Sequence, residues 1–308
     1  MTVALYTHAD MLDHRPGARH VERPERLGAV LDALAAASPL DLERREAPLI
    51  EVADLERVHL PAYVEAVFGS APAEGRLMLD ADTYMSPGSL GAARRAAGAV
   101  TQAVRDLAAG KGDRAFCAIR PPGHHAEPHL PMGFCIFSNV AVAAKVAQAE
   151  GLGRVAVVDF DVHHGNGTQA AFAGQPDLMF ASVQQWPMWP GTGHPSEAAP
   201  DNIHNAVAPP GAPREVWRKA FESLMPHLDA FRPDLILISA GFDAHANDPV
   251  GDASQNLEAE DFAWATRAIA SVARAHAGGR IVASLEGGYG LEALGRSSVA
   301  HVTALGEP

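Results

Sequence analysis

The chain predicts a single α/β domain, residues 1–308, in three layers, with a mostly parallel sheet covered on both faces by helices. Three observations predict it. Short apolar runs alternate with stretches of helical length from one end to the other, the pattern of parallel strands joined by crossover helices. The runs are apolar without alternation, as in VAVV (155–158) and LILIS (235–239), which strands buried on both faces require. Histidines, carboxylates and glycines crowd directly behind several of them, where open parallel sheets place their ligands.

Taken in order, Thr2–Thr7 reads as the first strand and runs into a polar loop holding His8, Asp10, His14 and His20, which is either solvated surface or a substrate-facing loop. Pro24 suits the first turn of a helix over ERLGAVLDALAAA. Residues 49–67 read as mixed helix, and LMLDADTYMSPGS as a turn-rich loop before an alanine-rich helix, Ser89–Ala109, that Gly110 and Gly112 stop. Arg114–Arg120 is the next strand and Asn139–Ala149 the next helix. Val155 opens a third strand, which breaks into Asp159, Asp161, His163 and His164. Asp177–Val183 is a further strand, followed by Trp186 and Trp189 in a loop rich in glycine and proline, where they serve as packing anchors or wall a channel; the sequence leaves these equal. Arg214–Phe231 is helical, Pro233–Gly241 is a strand delivering Asp243, His245 and Asp248, Asp261–Ala277 is a helix, and Ile281–Leu285 is the last strand, leading into EGGYG. The tail from Ala300 reads as a frayed end.

Composition narrows the function classes. With 47% hydrophobic and 20% charged residues there is ample material for a large core. A net charge of -13 argues against nucleic acid and acidic membrane surfaces as partners, since phosphates are neutralised by basic footprints, and is weakly compatible with cationic substrates. The two cysteines, Cys117 and Cys135, lie in apolar contexts that suit reduced, buried thiols. No run approaches the ~20 apolar residues of a membrane span, and the N-terminus lacks a basic region before an apolar one, so a cytoplasmic location is expected.

The chemistry gathers around Asp161 and His163. In an extended strand residues two apart share a face, so an oxygen and an imidazole nitrogen aim at one point with Asp159 behind them, a donor set that suits zinc or another divalent ion. One carboxylate from the FDAHANDP loop would complete three ligands and leave a position open; spacing alone does not choose among Asp243, His245 and Asp248. The adjacent His124 and His125 follow Pro121, Pro122 and Gly123 in a shaped loop and supply proton transfers, with Asp159 and Asn166 the nearest groups to orient them. Tyr289, flanked by glycines, offers a hydroxyl to a developing oxyanion.

RPPGHHA (Arg120–Ala126), MGFC (Met132–Cys135), DFDVHHGNGTQ (Asp159–Gln169), PGTG (Pro190–Gly193), SAGFDAHANDP (Ser239–Pro249) and LEGGYG (Leu285–Gly290) together resemble, in order, the motif series of the histone deacetylase superfamily, and RPERL (Arg23–Leu27) is similar to its N-terminal signature. The resemblance implies the arginase/deacetylase fold, with an eight-stranded sheet and a zinc ion at its C-terminal edge. It implies Asp161, His163 and Asp248 as the zinc ligands, and it alone selects Asp248. His124 and His125 match the tandem catalytic histidines, with His125 the general base and acid; Asp159 matches the partner of the first, Asn166 the partner of the second, and Tyr289 the transition-state tyrosine. An asparagine in that place is the bacterial class II-like pattern. Phe134, Trp189 and Gly133 match the substrate tunnel, Trp189 replacing the usual phenylalanine or tyrosine, and Gln184 stands where many relatives carry histidine. A structural potassium ion is implied beside Asp159, Asp161, His163 and Ser182.

The expected activity is therefore zinc-dependent deacetylation of an acylated amine, whether acetyl-lysine, an acetylpolyamine or a small amide. An arginase-like ureohydrolase with two manganese ions and a non-catalytic acyl sensor are the rivals. Pairing into a homo-oligomer through rim loops is compatible with the resemblance.

Overall fold

A computed structural model describes residues 1–37, 40–250 and 255–308. In chain order its elements are β1 (Val3–Thr7), α1 (Glu25–Ala36), β2 (Leu42–Glu46), α2 (Val52–Leu55), α3 (Pro61–Gly69), β3 (Leu77–Met78), β4 (Tyr84–Met85), α4 (Ser89–Ala108), β5 (Arg114–Cys117), α5 (Asn139–Ala149), β6 (Val155–Asp159), α6 (Asn166–Phe172), β7 (Leu178–Gln185), β8 (Ile203–Ala208), α7 (Arg214–Phe231), β9 (Leu235–Ala240), α8 (Ala259–His276), β10 (Ile281–Leu285) and α9 (Leu291–Leu305).

Eight strands form one sheet in the order β2-β1-β5-β10-β9-β6-β7-β8, and every neighbouring pair is parallel. The three-layer α/β architecture predicted from the sequence is thus the observed one. Helices α1, α9, α8 and α7 pack side by side as one layer, and α4, α5 and α6 as the other. Strands β5, β6, β9 and β10 are buried at every residue, which is why they read as unbroken apolar runs. They also sit next to one another in the sheet, so the four loops that leave their C-terminal ends open onto one place.

Four features differ from the sequence reading. The edge strand β2, LERRE, is largely exposed and carries no apolar signal, and the other edge, β8, alternates between buried and half-buried positions. Helix α6 is short and starts at Asn166-Gly167, which masks its helical period. The loop at 77–85 holds a two-stranded antiparallel hairpin, β3 with β4. The tail is not frayed: α9 runs to Leu305 because His301, Val302, Ala304 and Leu305 are buried against the core. Cys117 and Cys135 are free and buried, as expected. Among the described residues no helix is long and apolar enough to cross a membrane.

Candidate active site

Beyond Asp159 the chain leaves the sheet, and Asp161 to His163 lie in a bend rather than an extended strand. The two side chains meet through that bend: Asp161 Oδ1 accepts from the His163 backbone N–H at 2.9 Å and lies 3.0 Å from His163 Nδ1. Asp243, delivered by the loop after β9, brings Oδ2 to 3.3 Å from the same nitrogen. Asp161, His163 and Asp243 are the group of ligand atoms, all within 4.8 Å of one another, that suits a metal ion. The fit is chemical as well as spatial. Apart from the His163 nitrogen, buried Asp243 Oδ2 has no polar partner among the described residues, and the Cβ of any larger residue at Gly241 or Gly287 would overlap the carboxylates of Asp161 and Asp243. Two buried anionic oxygens facing one imidazole suit a hard or borderline divalent cation. Burial opposes a charge on His163, yet the hydrogen bonds and charges of Asp161 and Asp243 push it up to about 10.

Asp248, the third ligand that the resemblance implies, lies outside this group. Its Oδ2 accepts the backbone N–H of Tyr289 at 2.6 Å and of Gly290 at 3.0 Å, and its Oδ1 accepts that of Val250 at 3.0 Å. The physical reason is the turn after β9: Asp243 stands directly beyond the strand end, with Oδ1 on the Val162 N–H at 3.0 Å. Five residues later the chain has turned towards the loop after β10. Asp248 therefore holds the tyrosine-bearing loop.

The histidine pair is built in the loop after β5. Glu286, the first residue past β10, accepts the backbone N–H groups of Gly123 and His124 on Oε2 at 2.6 and 3.1 Å, tying this loop to the next strand end. The sequence reading passed over Glu286; an acid directly following a buried apolar strand was the available signal. His124 Nδ1 lies 2.9 Å from Asp159 Oδ2, and His125 Nδ1 lies 2.8 Å from Asn166 Oδ1, with ring centroids 3.9 Å apart. Burial disfavours a charge on either ring, but Asp161 and Asp159 outweigh it at His124 and push that imidazole up to about 10. At His125 burial wins, reinforced by the positive charges of His124 and His163, and the imidazole is held well below its ordinary range. Two adjacent histidines thus have opposite protonation preferences, one cationic and one neutral, the arrangement that marks acid and base roles.

Tyr289 is buried, and burial raises its phenol well above the ordinary value, so the hydroxyl keeps its proton. Its ring lies under the Arg26 guanidinium, 4.7 Å from centroid to Cζ, and Arg26 donates to the carbonyls of Gly288 and Glu286 at 2.6 and 2.5 Å. Behind Arg26, buried Glu22 accepts two hydrogen bonds from Arg120, each 2.8 Å. The loop carrying Tyr289 is thus held from one side by Asp248 and from the other by Arg26.

Phe134 and Trp189 border the site. The Phe134 ring lies 5.8 Å from that of Tyr289, and the Trp189 ring 4.7 Å from that of His125 and 6.0 Å from that of His163. Trp189 is 44% exposed, so of the two readings open in the sequence it takes the channel-wall position. Gly133 and Phe134 both adopt left-handed backbone, φ 57° and 68°, a conformation a non-glycine residue holds at some cost. Asp82 and Thr83 fix it by accepting the N–H groups of Gly133 and Phe134. A Cβ at Gly133 would run into the His125 ring and come 2.7 Å from Trp189 Cη2. Ser182 donates to Gln184 Oε1, and Gln184 donates to the Gly193 carbonyl, both at 2.7 Å; Gln184 therefore ties β7 to the Trp189 loop.

Residues 20–305 match the family model described as histone deacetylase domain. The chain is 34% identical to a probable deacetylase of Archaeoglobus fulgidus, over 95% of this chain and 82% of that protein. It is 39% identical to a histone deacetylase-like amidohydrolase of Pseudomonas aeruginosa, over 88% of this chain and 73% of that one. A crystal structure of the HDA15 HD domain superposes with a TM-score of 0.90 at 33% identity, covering 99% of this chain and 90% of the other.

Proposed function

The chain belongs to the histone deacetylase family, and from that premise we propose that it is a zinc-dependent hydrolase of N-acyl amides, releasing acetate from an acetylated amine. The observation that carries the reading is the buried histidine pair, His124 held by Asp159 and His125 by Asn166, beside the Asp161, His163 and Asp243 group. A divalent cation held by those three residues, or by Asp161 and His163 with Asp248 as the resemblance implies, would act as a Lewis acid on the acyl carbonyl and lower the pKa of a water molecule.

The remaining roles fall to the chain itself. Neutral His125 takes a proton from the attacking water and returns it to the leaving amine, with Asn166 fixing the ring through Nδ1. His124, held cationic against Asp159, contributes positive charge to a site where negative charge develops. As the carbonyl carbon becomes tetrahedral, Tyr289 donates its hydroxyl proton in a hydrogen bond to the oxygen. Phe134 and Trp189 flank the acyl chain, and Gly133 leaves the space between them and His125. A potassium ion beside Asp159, Asp161, His163 and Ser182 belongs to the same proposal.

Two manganese ions would need more carboxylate ligands than this three-group site offers, which favours the deacetylase over a ureohydrolase. The proposal is tested by acetate release from a panel of acetylated amines spanning acetyl-lysine peptides, acetylpolyamines and small amides. Turnover of one or more, lost in Tyr289→Phe, is the expected result. A zinc-loaded protein that binds hydroxamates yet hydrolyses nothing on the panel would make it a sensor.

A further inference from the structure

The loop between β1 and α1 forms the outer wall beside Tyr289, and its charge is opposite to that of the chain. A recess of about 200 Å³ has Arg19, His20, Arg23, Pro249 and Tyr289 among its lining residues, and among the described residues no carboxylate lines it. An adjoining recess shares Arg23 and adds Arg15 and Arg76, with Glu25 its one acid. Among the described residues Arg15 has one ion-pair partner, the exposed Asp13 at 3.8 Å, and Arg76 is anchored by donating to the Pro16 carbonyl at 2.6 Å. The exposed side chains of Arg19 and Arg23 have no ion-pair or hydrogen-bond partner among the described residues. Buried Arg26 is committed to backbone carbonyls and is not part of this surface.

Four arginines thus gather beside the site in a chain whose net charge is -13. Exposed charges act over about a Debye length, roughly 8–10 Å at physiological salt, so these arginines contribute positive potential at the mouth that the net charge of the chain does not cancel. The recess is continuous with the acyl site: Tyr289 lines it, and the edge of His20 packs on Phe134 with ring centroids 4.7 Å apart. A planar guanidinium offers paired N–H donors that match an oxyanion, whether carboxylate or phosphate.

We propose that this mouth selects acylated amines that carry an anionic group on the amine portion, bound by Arg19 and Arg23 while the acyl group lies between Phe134 and Trp189. This deepens the hydrolase reading and rests on it for the reaction. It reverses the preference for cationic substrates that the net charge alone suggested.

The test is a series of ω-acetamidocarboxylic acids of increasing chain length, each set against its carboxamide, with Nα-blocked Nε-acetyl-lysine acid and carboxamide in the same series and an ω-acetamidoalkyl phosphate as a further arm. At the best chain length the acid should exceed its carboxamide in kcat/KM by about tenfold, the scale of a charge-assisted hydrogen bond. That ratio should fall towards one in Arg19→Gln/Arg23→Gln and at high salt. The phosphate arm shows which oxyanion is preferred. Equal acid and carboxamide at every length, or a ratio that survives the double variant, overturns the anion subsite while leaving the hydrolase standing. If no compound is turned over, calorimetric binding of the same pairs decides separately: an acid preference lost in the double variant keeps the subsite without the reaction, and no preference removes both.

Discussion

Asp248 separates two accounts of the site. Its carboxylate accepts the N–H groups of Tyr289, Gly290 and Val250, three hydrogen bonds to an ionised group, each worth about 1.5–3 kcal/mol. In Asp248→Ala water reaches part of this half-buried position, so a net loss of about 2–4 kcal/mol is expected. The loss falls on the loop that sets where the Tyr289 hydroxyl stands, and a misplacement on the order of 1 Å costs about a hundredfold in rate. Asp248→Ala should therefore lower kcat about a hundredfold, change KM by no more than a few fold, and leave bound metal unchanged by elemental analysis. Asp248→Asn, which keeps one acceptor oxygen, should lose less. Asp243→Ala should lose the metal. Because Asp248 works through the tyrosine, adding Asp248→Ala to Tyr289→Phe should cost little more than Tyr289→Phe alone. Loss of metal in Asp248→Ala with retention in Asp243→Ala would refute the reasoning and restore the ligand set the resemblance implied.

Three further outcomes follow from the geometry. Asn166→Asp puts a full charge about where Oδ1 now stands, 2.8 Å from His125 Nδ1, and should raise the His125 pKa by about 1–3 units. The base must be neutral to act, so the acid limb of the kcat/KM profile moves to higher pH; a limb that stays or moves down removes His125 from that role. The same variant faces Glu127 Oε1, now 2.9 Å from Asn166 Nδ2, and should melt at a lower temperature. Trp189→Ala removes a wall of the channel, and the kcat/KM ratio of butyryl to acetyl substrate should rise by roughly tenfold or more; an unchanged ratio would place the wall elsewhere. His301, buried among Phe116, Phe160 and Phe242, is lowered to about 3 by burial. The unfolded chain protonates this residue near pH 6.5 and the folded one does not. Its contribution is complete above that pH and is lost on acidification by about 1.4 kcal/mol per pH unit until the folded pKa is approached. The Tm of His301→Leu should accordingly fall less between pH 7 and 5 than that of the parent, comparing changes with pH rather than absolute values.

What was legible in the sequence tracks burial. Strands β5, β6, β9 and β10 are covered on both faces and announce themselves as apolar runs, and the residues that follow them were marked as the site for that reason. The edge strands β2 and β8 are not so covered, and their sequences lack that signal. Side-chain convergence was legible only in part. Asp161 and His163 do meet, but through a bend and not through the pleat of a strand. The choice between Asp243 and Asp248 depends on how the loop after β9 turns, which no spacing encodes. Glu286 and Arg26 were silent because their work is done on backbone groups of other loops, contacts that exist only once four strand ends are adjacent. Asn166, His124, His125 and Tyr289 come together in one site because each lies in or just past a loop at the C-terminal ends of the central strands.

The central claim is that one divalent ion at Asp161, His163 and a carboxylate of the loop after β9 works with His125 and Tyr289 to hydrolyse an acyl amide. Stepwise addition of zinc to chelator-treated protein, with acetate release and bound metal measured on the same samples, tests it most directly. Acetate release that is absent at the start and rises in proportion to occupancy up to one ion per chain is the predicted result. Full acetate release before any metal is added, or activity that appears only with two manganese ions per chain, would contradict it.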